Sequence, residues 1–174
     1  MKISSNKLKD IIDFAYQELE SLYEKDEIRS MIYSIIEHFT GYDLMKILTY
    51  KDELKVSESE LLKINFAIKD LKKEKPLQQI LGYCEFLDVR IEVNQHVLIP
   101  RVETEEIVQR VIKENKGRKN LKIADICCGS GCIAIALKKA FPDANIYAYD
   151  ISEEALKKSK ENAEKNKEKI NFFK

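Results

Sequence analysis

Tryptophan is absent from this sequence of 174 residues, and histidine, proline and glycine are scarce, at two, three and five. Net charge is absent as well, because 30 basic side chains balance 30 acidic ones. Without a charge surplus there is no general electrostatic pull towards nucleic acid or an anionic membrane surface, so direct nucleic-acid binding is not expected. No apolar run approaches the roughly 20 residues that span a bilayer. The first ten residues, MKISSNKLKD, lack the apolar centre of a secretion signal. The expectation is a cytoplasmic, soluble monomer with no membrane attachment. Metal-ligand spacing is missing too. Of the four cysteines, Cys84, Cys127, Cys128 and Cys132, three fall close together, but C-C-x3-C is poor zinc spacing and no histidine lies nearby. No metal is expected. The clustered cysteines read as small residues filling a crowded turn, and a cytosolic setting argues against disulfides.

What is present begins with helical periodicity. Leu8, Ile11, Ile12, Ala15, Leu19 and Leu22 recur at helical spacing, as do Ile28, Met31, Ile32, Ile35, Ile36 and Phe39. Gly41 stops the second run. Leu44 to Leu48 form a short third helix. Ser57 with Glu60 three residues on forms a capping box ahead of a fourth, which Pro76 closes. Each helix has one apolar face, so residues 1–75 are predicted to make a small bundle.

After Pro76 the period changes. Residues 88–94 alternate strictly between polar and apolar, which predicts a half-buried strand. A turn at Asn94 and Gln95 would return residues 96–99 as its hairpin partner. Pro100 then opens a helix over about 103–113. Glu103, Glu105 and Glu106 fall in its first turn, where the helix dipole favours negative charge. Strand, helix, strand, helix and strand follow over 121–126, 132–140, 145–150, 152–166 and 170–173. This alternation predicts a parallel α/β sheet of the doubly wound, Rossmann-like kind. The Lys- and Glu-rich stretch 157–169 reads as a solvated helix face.

The stretch DICCGSGCIAIAL, residues 125–137, carries the chemistry. Gly129 and Gly131 sit between a strand and a helix, where ligands of open α/β sheets bind. They let the backbone turn tightly and approach a ligand with no Cβ in the way. Ala134 takes the third position of the G-x-G-x-x-G/A pattern, and Asp150 stands at the end of the next strand, suited to accept from ribose hydroxyls. An adenosine-containing cofactor follows. Asp125, at the end of the first strand, would repel a pyrophosphate but suits an ammonium or sulfonium group. That tips the reading from NAD to S-adenosylmethionine, with capping within the loop as the alternative use of Asp125.

The segments PLQQILGYCEFLDVRIEVNQHVLIPRVETEEIVQRVI and IADICCGSGCIAIALKKAFPDANIYAYDISEEALKKSKENA closely resemble the HemK/PrmC family of peptide-chain release factor glutamine N5-methyltransferases. The resemblance covers roughly residues 57–174, and LIPRVETE is its most specific part. It implies S-adenosyl-L-methionine as cofactor. The loop Cys127, Cys128, Gly129, Ser130 and Gly131 would hold its methionine part and ribose, Asp150 the ribose hydroxyls, and Asp125 would lie near its amino group. Pro100, Arg101, Glu103 and Thr104 would flank cofactor and substrate glutamine. The N-terminal helices would dock the release factor, whose Gly-Gly-Gln loop carries the methylated side chain.

This sequence departs from the family's usual pattern. Val102 stands where proline is usual, Cys127 and Cys128 stand where the family often has Gly-Thr, and Gln79 stands where a tyrosine is usual. The family's catalytic Asn-Pro-Pro-Tyr is missing, since the prolines are Pro76, Pro100 and Pro142. No catalytic residue is therefore assigned, and the chain reads as the N-terminal piece of a longer protein, inactive as given. The expected organisation is a helical substrate-docking domain (1–75), a β-hairpin linker (76–99) and the first half of a methyltransferase domain (100–174). Rival readings keep the fold but change the substrate to ribosomal-protein glutamine or DNA adenine, or make the chain a non-catalytic module that binds a translation factor. An NAD-dependent dehydrogenase is disfavoured by Asp125 and by LIPRVETE.

Overall fold

Apolar residues spaced three and four apart become helices α1 (Leu8–Leu19), α2 (Lys25–Thr40), α3 (Leu44–Tyr50) and α4 (Glu58–Leu71) in the computed structural model, which describes residues 5–174. The N-terminal stretch examined for a secretion signal lies partly outside the described residues. The chain divides into two compact units, residues 1–81 and 82–174.

The first unit is held by aliphatic side chains removed from water. Leu8, Ile11, Ala15 and Leu19 of α1 meet Ile28, Ile32, Ile35 and Ile36 of α2 and Ile64, Ile68 and Leu71 of α4 in one core cluster. Each such side chain contributes roughly 1.5–3 kcal/mol on burial. The helix ends follow their local chemistry. Gly41 caps α2 in the left-handed region at φ 70°. The Asp43 carboxylate accepts from the Lys46 amide at 2.7 Å and starts α3. Ser57 and Glu60 form the full capping box: the Ser57 amide donates to Glu60 at 2.7 Å, and the Glu60 amide donates to the Ser57 hydroxyl at 3.3 Å. The Tyr23 hydroxyl donates to the Leu71 carbonyl at 2.9 Å, satisfying one of the acceptors that the end of α4 leaves open. Pro76 differs from the expectation. α4 has already ended at Leu71, and Pro76 instead precedes the short helix α5 (Leu77–Leu81), in keeping with proline's suitability for helix starts.

The second unit opens with a hairpin whose pairing corrects the sequence reading. Strand β1 (Tyr83–Phe86) pairs antiparallel with β2 (Val89–Glu92), and the turn lies at Leu87 and Asp88. Residues 96–99 form no strand. The alternating run is therefore the second strand of the hairpin, not the first. The turn was obscure in sequence because Leu87 and Asp88 adopt φ 47° and 61°, a two-residue geometry usually signalled by Asn and Gly.

Helix α6 (Val102–Glu114) leads to β3 (Lys122–Ile126), α7 (Cys132–Ala140), β4 (Asn145–Tyr149), α8 (Glu153–Lys165) and β5 (Asn171–Phe173). The three strands are parallel in the order β3-β4-β5. The architecture is α/β and Rossmann-like, with a helical bundle ahead of it. Alternation along the strands turns Asp125, Ile146 and Ala148 inward, and all three are buried. Helices α7 and α8 pack against each other and against the hairpin strand β2, and α6 packs on α7.

The capping box gives a direct stability test. Ser57→Ala removes the hydroxyl and should cost about 1 kcal/mol, read as a lower urea midpoint for the helical unit. The Glu60 carboxyl is held below its usual value by the Ser57 amide and hydroxyl. Its contribution is therefore present above the ordinary carboxyl value and fades as pH falls below it, so the Ser57→Ala deficit should shrink in acid.

Candidate functional site

Parallel pairing fixes where the two acids stand. Asp125 lies opposite Ala148 and Ile126 opposite Tyr149, so Asp125 and Asp150 occupy the C-terminal ends of neighbouring strands. Residues 127–131 leave β3 at this edge and turn into α7.

Backbone hydrogen bonds and both acids shape the loop. The Cys128 amide donates to the Tyr149 carbonyl at 2.9 Å, prolonging the ladder past β3. The Gly131 amide donates to the Cys128 carbonyl at 2.8 Å, which closes the turn. Asp150 accepts from the Gly129 amide at 2.8 Å through one oxygen and from the Ser152 amide at 2.9 Å through the other. Asp125 accepts from the Ala134 amide at 3.2 Å, near the start of α7. The capping use of Asp125 is thus realised in the fold. Both acids organise the backbone that surrounds them.

The electrostatics of Asp125 differ from those of a surface acid. Asp125 is 7% exposed, and burial pushes its carboxyl up to about 6, with the charge of Asp150 adding to the shift and the Ala134 amide opposing it. An anion here is strained by its own isolation. Added positive charge relieves it, and added negative charge aggravates it. A cation at the end of β3 would therefore be favoured, and the Asp150 carboxylate is a hydrogen-bond acceptor at the end of β4.

The cysteines of the loop have separate fates. Cys127 is exposed at φ 64°, whereas Cys128 and Cys132 are buried. Burial pushes the thiols of Cys128 and Cys132 up to about 11, so both are neutral packing groups. Cys84 of β1 is likewise raised to about 11, first by burial and then by the nearness of Cys132, Glu85 and Glu105. Among the described residues no three His, Cys, Asp or Glu side chains converge as metal ligands do.

Cys127, Cys128, Gly129, Ser130, Gly131, Asp125 and Asp150 form one cluster at the strand ends. Arg101 is the N-cap residue of α6, its backbone extended and its carbonyl accepting from the Thr104 amide at 3.0 Å. Pro100 precedes it and Glu103 is exposed in the first turn. Helix α6, which these residues open, packs on α7, the helix that follows the loop, and among the described residues no hydrogen bond joins 100–104 to the loop. The sequence reading placed α8 but missed its buried face. Its stretch 157–169 is solvated on one face only. The other face buries Ala155, Leu156, Ser159, Asn162 and Ala163 against the loop and hairpin. Small and polar residues at helical spacing were the available signal.

Gly131 shows why that face is small. At φ 79°, a Cβ on Gly131 would lie 2.9 Å from the Ser159 Cβ. Gly129, at φ 54°, has open space where its Cβ would be. Gly131→Ala should therefore cost about 2–4 kcal/mol, combining left-handed strain with overpacking, while Gly129→Ala should cost about 1–2 kcal/mol from the conformation alone. Urea unfolding of the two variants checks the order, and a larger loss for Gly129→Ala would contradict it.

The methyltransferase small domain family matches residues 103–174. The release factor glutamine methyltransferase of Flavobacterium psychrophilum is 42% identical over 161 residues, covering 90% of this chain and 56% of that protein. The Bacteroides thetaiotaomicron protein of the same name is 38% identical over 162 residues, covering 93% of this chain and 57% of that one. Among solved structures, a Pyrococcus abyssi tRNA (uracil-54, C5)-methyltransferase in complex with S-adenosyl-L-homocysteine aligns with a TM-score of 0.43 at 22% identity, covering 53% of this chain and 23% of that one. The chain spans a little over half the length of these two curated relatives, and over that span it is similar in sequence to release factor glutamine methyltransferases.

Proposed function

We propose that this chain carries the cofactor-binding part of an enzyme that methylates the side-chain amide nitrogen of the glutamine in the Gly-Gly-Gln loop of peptide chain release factors. The observation that carries the reading is the buried Asp125 beside a glycine loop held by Asp150, in a chain 42% identical to a release factor glutamine methyltransferase. S-adenosyl-L-methionine fits the site: its ammonium and sulfonium suit the end of β3, and its ribose diol suits the carboxylate at the end of β4. A pyrophosphate would meet two acids there.

The bound cofactor supplies an electrophilic methyl group. The chain's own residues bind and orient. Asp125 balances the cationic end, Asp150 accepts from the ribose hydroxyls while keeping the loop closed, and residues 127–131 bring backbone close to the ligand. Pro100, Arg101, Glu103 and Thr104 flank the place where the glutamine would enter. The helical residues 1–75 dock the release factor. An amide nitrogen is a weak nucleophile because its lone pair is delocalised, so the rate must come from orientation and from hydrogen bonds that localise that pair. No side chain of this sequence is assigned that second task, since it contains no Asn-Pro-Pro-Tyr run.

Calorimetric titration with S-adenosylhomocysteine, with NADH and with a release factor tests the reading. Saturable heat with the first and third, and none with NADH, is the expected result. NADH binding would overturn the cofactor, and a silent release factor would overturn the docking role.

Asp125 gives two further outcomes. Its carboxyl must be ionised to hold a cation, so affinity for S-adenosylhomocysteine should rise with pH up to about 6 and level off above it. Its value is raised from the ordinary 3.8, so ionisation opposes folding, fully so above about 6 and not at all below the unfolded value. Asp125→Asn should therefore be more stable than the wild type at neutral pH, with the gain vanishing as pH falls through that window, while binding S-adenosylhomocysteine about tenfold more weakly. Thermal unfolding across pH, together with calorimetry, reads both.

A further inference from the structure

Asn162 of α8 and Asn166, the residue that caps its C-terminus, reach the hairpin, and Asn162 also reaches the glycine loop. Asn162 is completely buried. Its side-chain oxygen accepts from the Glu92 amide at 2.9 Å. Its side-chain nitrogen donates to the Glu92 carbonyl at 3.0 Å and to the Ser130 carbonyl at 2.9 Å. The oxygen and both N–H groups of the amide are thus engaged with main chain. Asn166, one turn further on, donates to the Arg90 carbonyl at 2.9 Å and to the Asn162 carbonyl of its own helix at 2.8 Å. It ties the same strand to the same helix without a bond to the loop.

The positions tied by Asn162 matter. Ser130 stands between the two glycines and is itself buried, so its carbonyl has little access to water. Glu92 ends β2, from which the chain runs on towards Pro100 and Thr104. Gly131 lies so near Ser159 that an added Cβ would stand 2.9 Å from the Ser159 Cβ, so α8 comes close to the loop at this point.

We propose that Asn162 is a positioning residue: a single buried amide sets the conformation of the glycine loop and holds it in register with the hairpin strand that leads to residues 100–104. Its consequence for ligand binding rests on the reading of the loop as an S-adenosylmethionine site, whereas the tie itself does not. A shape fixed this way is ready before the ligand arrives, as with the outer groups that orient ligands in well-built sites.

The test compares Asn162→Ala with Asn166→Ala in the full chain. Iodoacetamide labelling, mapped by mass spectrometry, follows Cys128, which is buried in the loop beside exposed Cys127. Calorimetry follows S-adenosylhomocysteine. The expected result is that Cys128 labels about tenfold faster and the ligand binds about tenfold more weakly in Asn162→Ala, with neither changed in Asn166→Ala. Equal effects in both variants would reduce Asn162 to a general tether, and unchanged values in Asn162→Ala would also overturn the proposal. If circular dichroism shows Asn162→Ala unfolded, Asn162→Ser takes its place under the same outcomes. Should the wild type bind no S-adenosylhomocysteine, the cofactor reading fails, and the labelling comparison alone decides the tie.

Discussion

Gly131 has no side chain, and the second unit is arranged around that vacancy. A Cβ there would run into the Ser159 Cβ at 2.9 Å, so helix α8 lies as near to the loop as two backbones with one small residue between them allow. Close approach lets Asn162 touch both Ser130 and Glu92 with one amide. It also requires the buried face of α8 to be made of Ala155, Ser159, Asn162 and Ala163 with a single leucine, Leu156. Larger aliphatic residues would bury more area but would push the helix away and leave the Ser130 carbonyl without its donor.

The same edge concentrates an electrostatic cost. Asp125 faces inward because strand alternation leaves it no other side, and its buried carboxyl is raised to about 6. One amide hydrogen bond, from Ala134, only partly offsets the loss of water. Polar groups that weaken a fold are commonly found where a ligand supplies what the fold withholds. Asp150 is set differently: it is partly open to solvent and accepts from two amides, one through each carboxylate oxygen. Two acids of the same kind thus have distinct environments, one starved of positive charge and one already engaged with the backbone.

The helical unit depends on none of this. Its core is almost wholly Ile and Leu, and its caps are local: the left-handed Gly41, the Asp43 side chain and the reciprocal Ser57–Glu60 pair. Local devices of this sort act within a few residues, so they leave a clear mark in sequence.

That locality separates what could be read from what could not. Helices α1, α2, α4, α6, α7 and α8, the three parallel strands, the capping box and the glycine turn were all legible, because periodicity and capping are properties of neighbouring residues. The family resemblance rested on equally local runs, LIPRVETE and CCGSG. The hairpin pairing was not legible: Leu87 turns with positive φ although leucine is a poor turn former, and only pairing with β1 shows that the alternating run comes second. Nor was the buried face of α8, whose Lys and Glu dominate the sequence while Ser159 and Asn162 meet partners on β2 and the loop, far away along the chain. The sequence by itself determined the elements, their caps and the residues offered to a ligand. Tertiary structure alone decided which strand pairs with which, how far Asp125 is withdrawn from water, and which amide joins loop to hairpin, because each depends on contacts between segments that only the folded chain brings together.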